Sequence, residues 1–227
     1  MTQTRIVARL AIRELWMTFR LLILLAAYLG GAALVALVPA PPSVVLGRLA
    51  IVLAVAGIVG AVITAWSLSQ DRVRGRFGWL VTRAIRRRTI LNGWFAALTL
   101  ITVSGVTAAG MIGWAAAGTS GPMNPSAFGV SMISVACGAV ALVTLGLALG
   151  SWLRPRLAVL ATAAISAATI GVGWILLPGP ILPFEALADL LRSDRPISLA
   201  LQGAGASLAL AVALLVAAGL VLGRADV

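Results

Sequence analysis

The sequence predicts an all-α membrane protein, with six transmembrane helices in one domain over residues 1–227. Three observations carry that prediction. Of 227 residues, 61% are apolar and 10% charged, with a mean hydropathy of +1.10. A soluble domain runs at about 45–50% apolar and about 25% charged, so this chain lacks the charge to solvate a globular surface. Six apolar stretches recur, at 21–38, 45–68, 93–117, 127–152, 157–177 and 199–222. At about 20 residues per span they leave no room for a second folded unit. Finally, the arginines concentrate in alternate connections.

The segment 4–19 comes first. Arg5, Arg9, Arg13, Trp16 and Arg20 follow one helical stripe, and Ile6, Leu10 and Met17 another, with Val7 and Leu15 nearby. This is an amphipathic helix suited to the headgroup region, with Trp16 at the interface. A plainer reading is a basic anchor that sets topology. A helix that lies flat and then turns into the bilayer is an elbow, whose contact residues are Arg9, Arg13 and Trp16. The five further spans argue that the first stretch is retained and is not a cleaved leader.

Each stretch ends at chemically marked residues. Pro39, Pro41 and Pro42 end the first, and Asp71 with an arginine run ends the second. Gly118 to Pro125 end the third, Arg154, Pro155 and Arg156 the fourth, and Pro178, Pro180 and Pro183 the fifth. Between these breaks only helices satisfy the backbone in lipid.

Orientation follows from arginine placement. Arg5, Arg9, Arg13 and Arg20, then Arg72, Arg74, Arg76, Arg83, Arg86, Arg87 and Arg88, then Arg154, Arg156 and Arg224 make 14 of 17 on one side. Arg48, Arg192 and Arg195 fall on the other. The positive-inside bias predicts that both termini are cytoplasmic. The net charge of +11 therefore serves topology and contact with anionic membrane lipid. No nucleic-acid partner is expected, since a soluble basic domain with base-stacking aromatics is missing.

Absences narrow the chemistry. There is no Lys, so no phosphate-binding Walker loop exists here and the chain is not itself a P-loop ATPase. There is no His, which removes zinc hydrolases, His-ligated haem and Ser/His hydrolases. No catalytic residue and no metal site is expected. The single Cys137 lies in an apolar stretch and reads as a buried, inert thiol. No stretch carries Asp, Glu, Lys or His in its interior, whereas ion-coupled carriers usually need such a group. Hydroxyls and carbonyls are then the only route left to ion coupling. Energy for transport is expected from another polypeptide.

Small and polar residues line up within the spans. Gly57, Gly60, Thr64 and Ser67 share one helix face, and so do Thr162, Ser166, Thr169 and Gly173. A weakly polar substrate path or dimer interface is one reading, with Thr64, Ser67, Thr162, Ser166 and Thr169 as its residues. Ordinary helix packing is the other, because small residues let backbones approach. The row Ser131, Ser134, Gly138 and Ala141 favours packing, and the pairs Gly146/Gly150 and Gly219/Gly223 read the same way.

The connection Ser69 to Asn92 holds seven Arg and one Asp in 24 residues, far more than orientation requires. Phe77, Leu80, Val81 and Ala84 recur at helical spacing, with Arg72, Arg76, Arg83 and Arg87 on other faces. A short basic amphipathic helix here lies on anionic lipid or seats in an acidic cleft of a soluble partner.

This segment resembles the permease subunits of type-2 ABC exporters. Between their second and third spans these carry an acid, then Gly-Thr, an apolar run, Pro-(Val/Ile)-Ser-Arg and Ile-(Val/Leu)-x-Gly-Lys. Here Asp71, Gly75, Trp79-Leu80-Val81, Ile85, Arg87, Ile90, Leu91 and Gly93 stand in that register without a gap. The chain departs at Arg76 for Thr, Ala84 for Pro, Arg86 for Ser and Trp94 for Lys. Six spans, an elbow and internal termini match the same architecture.

The resemblance implies that 69–92 holds a cytoplasmic coupling helix docking on a separate ATP-binding subunit, through Asp71, Gly75, Arg76, Leu80, Arg83, Arg86 and Arg87. Gly75 would allow a tight turn, and Asp71 with Arg83 or Arg87 would fix the loop. ATP and Mg²⁺ would be bound by that partner, with no cofactor in this chain. A second permease chain, identical or not, would complete the path in a bacterial inner membrane. The resemblance also implies short outer helices over 178–198. Phe184, Leu187 and Leu191 share a face there, beside Glu185, Asp189 and Arg192. Phe184 and Leu187 are candidates for an outer gate, or else a shield over the bundle top.

The expected function is the transmembrane subunit of an ATP-driven exporter of apolar or amphiphilic cargo. Its rivals are a haem-exporter-type permease of cytochrome c maturation, for which no periplasmic haem cradle of His or Trp is visible, and a membrane anchor or immunity protein that transports nothing.

Overall fold

The computed structural model describes residues 3–75, 86–118, 123–171 and 182–224. Among them the chain is helical and carries no strand. Helix α1 spans Gln3–Met17. Thr18 and Phe19 break it. The Phe19 backbone takes φ 58°, in the left-handed region, and its N–H donates to the Trp16 carbonyl at 3.1 Å. Helix α2 begins at once and covers Arg20–Leu37. It is an α-helix over Arg20–Leu25, widens to i→i+5 bonding over Ala26–Gly30, and resumes as Gly31–Leu37.

Four later helices open on a proline, whose missing N–H and fixed φ suit the first helical position. They are α3 (Pro42–Val73), α5 (Pro125–Trp152), α6 (Pro155–Gly171) and α8 (Pro196–Arg224). The Asn124 side chain caps α5 by accepting from Ser126 N at 3.1 Å. Helix α4 covers Arg87–Gly118, and the short α7 Leu182–Ala188.

Five of these helices are long and apolar enough to cross a membrane: α2, α3, α4, α5 and α8. The expected sixth span, 157–177, corresponds to α6. At 17 residues it rises about 26 Å, short of a hydrocarbon core of about 30 Å. The rest of that stretch lies outside the described residues. The helices also run further than the hydropathy suggested. Ser69 to Val73 still belong to α3, and Arg87 to Asn92 to α4.

Helix α5 is the hub, packed most extensively against α3 and α8. Its glycines explain the close approach to α3. A Cβ on Gly146 would collide with the Ala61 carbonyl oxygen, and one on Gly150 would lie 2.8 Å from that of Ala65. The pair Gly146/Gly150 is thus a packing device, facing the equally spaced Ala61 and Ala65.

Two apolar clusters fill the bundle. One gathers Leu46, Leu49, Leu53, Val135 and Phe184, at the end where α3 and α5 start. The other gathers Val7, Leu15, Leu68, Ile90, Trp94, Leu147 and Leu222, at the end where α3, α5 and α8 finish. This second end is the arginine-rich one.

Candidate functional site

At the arginine-rich end, α1 lies across the root of α4. Its apolar face is Val7, Ala11 and Leu15, each buried to 2% exposure or less, against Ile90, Leu91 and Trp94. Gly93 makes the crossing possible, since a Cβ there would sit 2.5 Å from Val7 Cγ1 and 3.2 Å from the Ala8 nitrogen. Ile6, Leu10 and Met17, the apolar stripe expected from the sequence, are exposed, as are Arg5, Arg9, Arg13 and Trp16, while the neighbouring Val7 and Leu15 face the protein. The helix has two apolar faces: protein covers one, and the arginine side keeps the other.

Two further arginines are turned inward. Arg20 Nη1 donates to Ser67 Oγ at 2.7 Å, tying the start of α2 to the last turns of α3. Asp71, 6% exposed, lies one turn beyond Ser67 on the same face. Arg72 spans to α5. Its Nη1 donates to the Ser151 carbonyl and, at 3.1 Å, to that of Trp152, while Nη2 donates to that of Leu153 at 2.7 Å. These carbonyls end a helix and have no partner within it, and a cation there also meets the negative end of the dipole.

After Arg72 the chain turns at Gly75, which adopts φ 73°, with no atom within 4 Å of where a Cβ would stand. Arg76, Leu80 and Arg83, together with the expected coupling helix, lie outside the described residues, as does the Arg87 side chain. Arg86 is exposed, as are Arg74, Arg88, Arg154 and Arg156. The roots of loop 69–92 are therefore anchored, by Arg72 on one side and by α1 over Gly93 on the other, within a strongly cationic surface. Such a surface suits an acidic protein or anionic lipid.

Of the candidate path residues, Thr64, Ser67, Thr162 and Ser166 are buried and Thr169 is half-buried. Thr64 and Ser67 are fully buried, Thr64 Oγ1 donates to the Gly60 carbonyl at 2.7 Å, and Ser67 accepts from Arg20. Gly57 is filled against Leu142 of α5, with a built Cβ 2.9 Å from Leu142 Cδ1. On α6, Thr162 and Ser166 are also fully buried, with hydroxyls that find no hydrogen-bond partner. Thr169 Oγ1 donates to the Ser166 carbonyl at 2.9 Å.

At the opposite end, Phe184 and Leu187 are buried at 4% and 0% exposure. Gly138, half-way along α5, sits against Pro183 and Phe184, so α7 reaches deep into the bundle. The third residue of that face is Leu190, 5% exposed, where Leu191 was expected; Leu191 is 43% exposed because the helix ends at Ala188. Asp189 pairs with Arg192 at 3.9 Å in the open.

Among the described residues no group of three His, Cys, Asp or Glu is placed to hold a metal. The sequence places Arg20 on the stripe of the N-terminal amphipathic helix and Arg72 on a charged face of the connection 69–92, besides counting both toward topology. Their level in the chain was legible; their partners, 47 and 81 residues away, were not. No protein-family model matches the chain, and no curated protein matches it.

Proposed function

We propose that this chain is the transmembrane subunit of an ATP-driven exporter of the type-2 ABC kind. Two permease chains would form the path, and separate ATP-binding subunits carrying ATP and Mg²⁺ would dock on the arginine-rich side. That side is cytoplasmic on this reading, with α1 as the elbow helix. The observation that carries it is the anchoring of loop 69–92. A force on that loop would reach α3 directly, α5 through the Arg72 guanidinium, and α4 with α1 through Gly93. The loop is therefore built as a lever, and a lever needs an engine this Lys-free chain does not encode. Nucleotide-driven movement of the partner would bias two arrangements of the bundle. The absence of Asp, Glu, Lys and His from the interior of the apolar stretches favours an apolar or amphiphilic cargo.

The test is co-purification from native membranes. An ATPase should accompany the chain and be lost on charge reversal of Arg83, Arg86 and Arg87. Retention of a stimulated ATPase after that change, or gradient-driven uptake without ATP by the chain alone, would overturn the reading.

A further inference from the structure

Arg48 stands where a charge is expensive. Val44, Arg48, Ile51 and Val55 recur at helical spacing on α3 and are all exposed. On a helix that crosses a membrane such a stripe faces lipid, and a charge within it needs a partner. The level of Arg48 follows from the chain. The 22 residues from Leu49 to Gln70 carry no charge. They rise about 33 Å, against a hydrocarbon core of about 30 Å. Asp71 and Arg72 close that interval at the arginine-rich end. Arg48 closes it at the other, where hydrocarbon gives way to headgroups.

The protein offers this guanidinium little. Its one hydrogen bond runs from Nη1 to the Val38 carbonyl at 3.5 Å, the far limit of such a bond. No carboxylate among the described residues pairs with it. The other two arginines of this end, Arg192 and Arg195, lie in the connection before α8, within reach of water. Beneath Arg48 a groove runs between α2 and α3, lined by Gly31, Leu34, Val35, Ile51 and Val52. Its floor is tight, since a Cβ on Gly31 would collide with Val52 Cγ1. Leu34 and Ile51, 67% and 66% exposed, stand open to the outside. Arg48 is the only polar side chain in the lining. A cation at headgroup depth above an apolar trough complements an amphiphile with an anionic head and a hydrocarbon tail. A guanidinium takes two phosphate oxygens at once. A zwitterionic headgroup brings its own ammonium to compete for them.

We propose that Arg48 binds the phosphate of one anionic phospholipid in the leaflet at this end, with an acyl chain entering the α2–α3 groove. This rests on α2 and α3 crossing the membrane and not on the exporter reading. The purified full-length chain is reconstituted in phosphatidylcholine nanodiscs holding a trace of phosphatidylglycerol with a diazirine near the headgroup end of one acyl chain. A parallel sample carries the same diazirine on phosphatidylcholine. Both are illuminated and mapped by mass spectrometry. Labelling of Leu34 and Ile51 should be about fivefold higher with the phosphatidylglycerol probe. Met111 and Ile133 are 70% and 64% exposed at a comparable distance from their helix ends, and should take both probes alike.

Arg48→Gln should remove the preference with helicity unchanged, and Arg48→Lys should keep part of it. The comparison of probes on the native chain decides even where a variant fails to fold. Equal labelling of Ile51 by the two probes, a preference equally large at Met111 and Ile133, or a preference that survives Arg48→Gln would each overturn the proposal. So would an Ile51 that neither probe reaches, as when a second copy covers the groove.

Discussion

Arg72 and Leu153 are joined across 81 residues of sequence, guanidinium Nη2 to carbonyl oxygen at 2.7 Å. The same guanidinium also serves Ser151 and Trp152, so one side chain closes the end of α5 and fixes it to α3. Removing it leaves carbonyls at a helix end without donors. Arg72→Gln should lower stability by about 1–3 kcal/mol, and Arg72→Lys should recover only part, since an ammonium lacks the planar fork. Unfolding in mixed detergent, followed by circular dichroism, reads both.

The crossing of α1 over α4 depends on a missing Cβ. Gly93→Val should push α1 off its seat at a cost of about 1–3 kcal/mol. Limited trypsin digestion at Arg5, Arg9 and Arg13 reports the release. The milder Gly93→Ala, combined with Val7→Ala, should restore protection more than the two single effects predict when summed. Additive losses would show that the two residues do not meet.

Gly146 and Gly219 make a matched pair of opposite expectations. At Gly146 a side chain meets the Ala61 backbone, while at Gly219 it meets nothing within 4 Å. Gly146→Leu should therefore cost about 3 kcal/mol or more, because backbone cannot step aside as a side chain does. Gly219→Leu should change stability by less than about 1 kcal/mol. Midpoints of thermal unfolding for the two variants in one detergent make the comparison.

Phe19 carries a left-handed backbone without being glycine, and the residue is 68% exposed. Phe19→Gly should stabilise the turn by about 1 kcal/mol. If the ring is held in the bilayer surface, the same change should weaken association of a peptide covering α1 and this turn with anionic vesicles.

The long helices were legible because hydropathy and proline placement speak for each segment alone. Pro42, Pro125, Pro155 and Pro196 mark four starts, and the Gly146/Gly150 spacing announced its packing role. What depends on a distant partner was not legible. The stripe of Arg5, Arg9 and Arg13 was visible, but the choice of Val7, Ala11 and Leu15 as the inward face was made by Gly93 and Ile90 on another helix. The same holds for Ser67, whose hydroxyl reads as path lining until Arg20 is found on it. Helix ends were drawn short because Ser69 to Val73 look too polar for a span, although α3 simply continues past the apolar zone.

The widened turn at Ala26–Gly30 means that α2 stores one surplus amino acid. Each residue of an α-helix advances the azimuth by about 100°. Deleting one position within that turn would regularise α2 and leave Leu24, Arg20 and everything before them on the faces they now hold, whereas the same deletion in a regular stretch would swing them around the axis. The N-terminal arm is thus buffered from the rest of the molecule by a single spare unit, the one place in α2 where the loss of a residue leaves its grip unchanged.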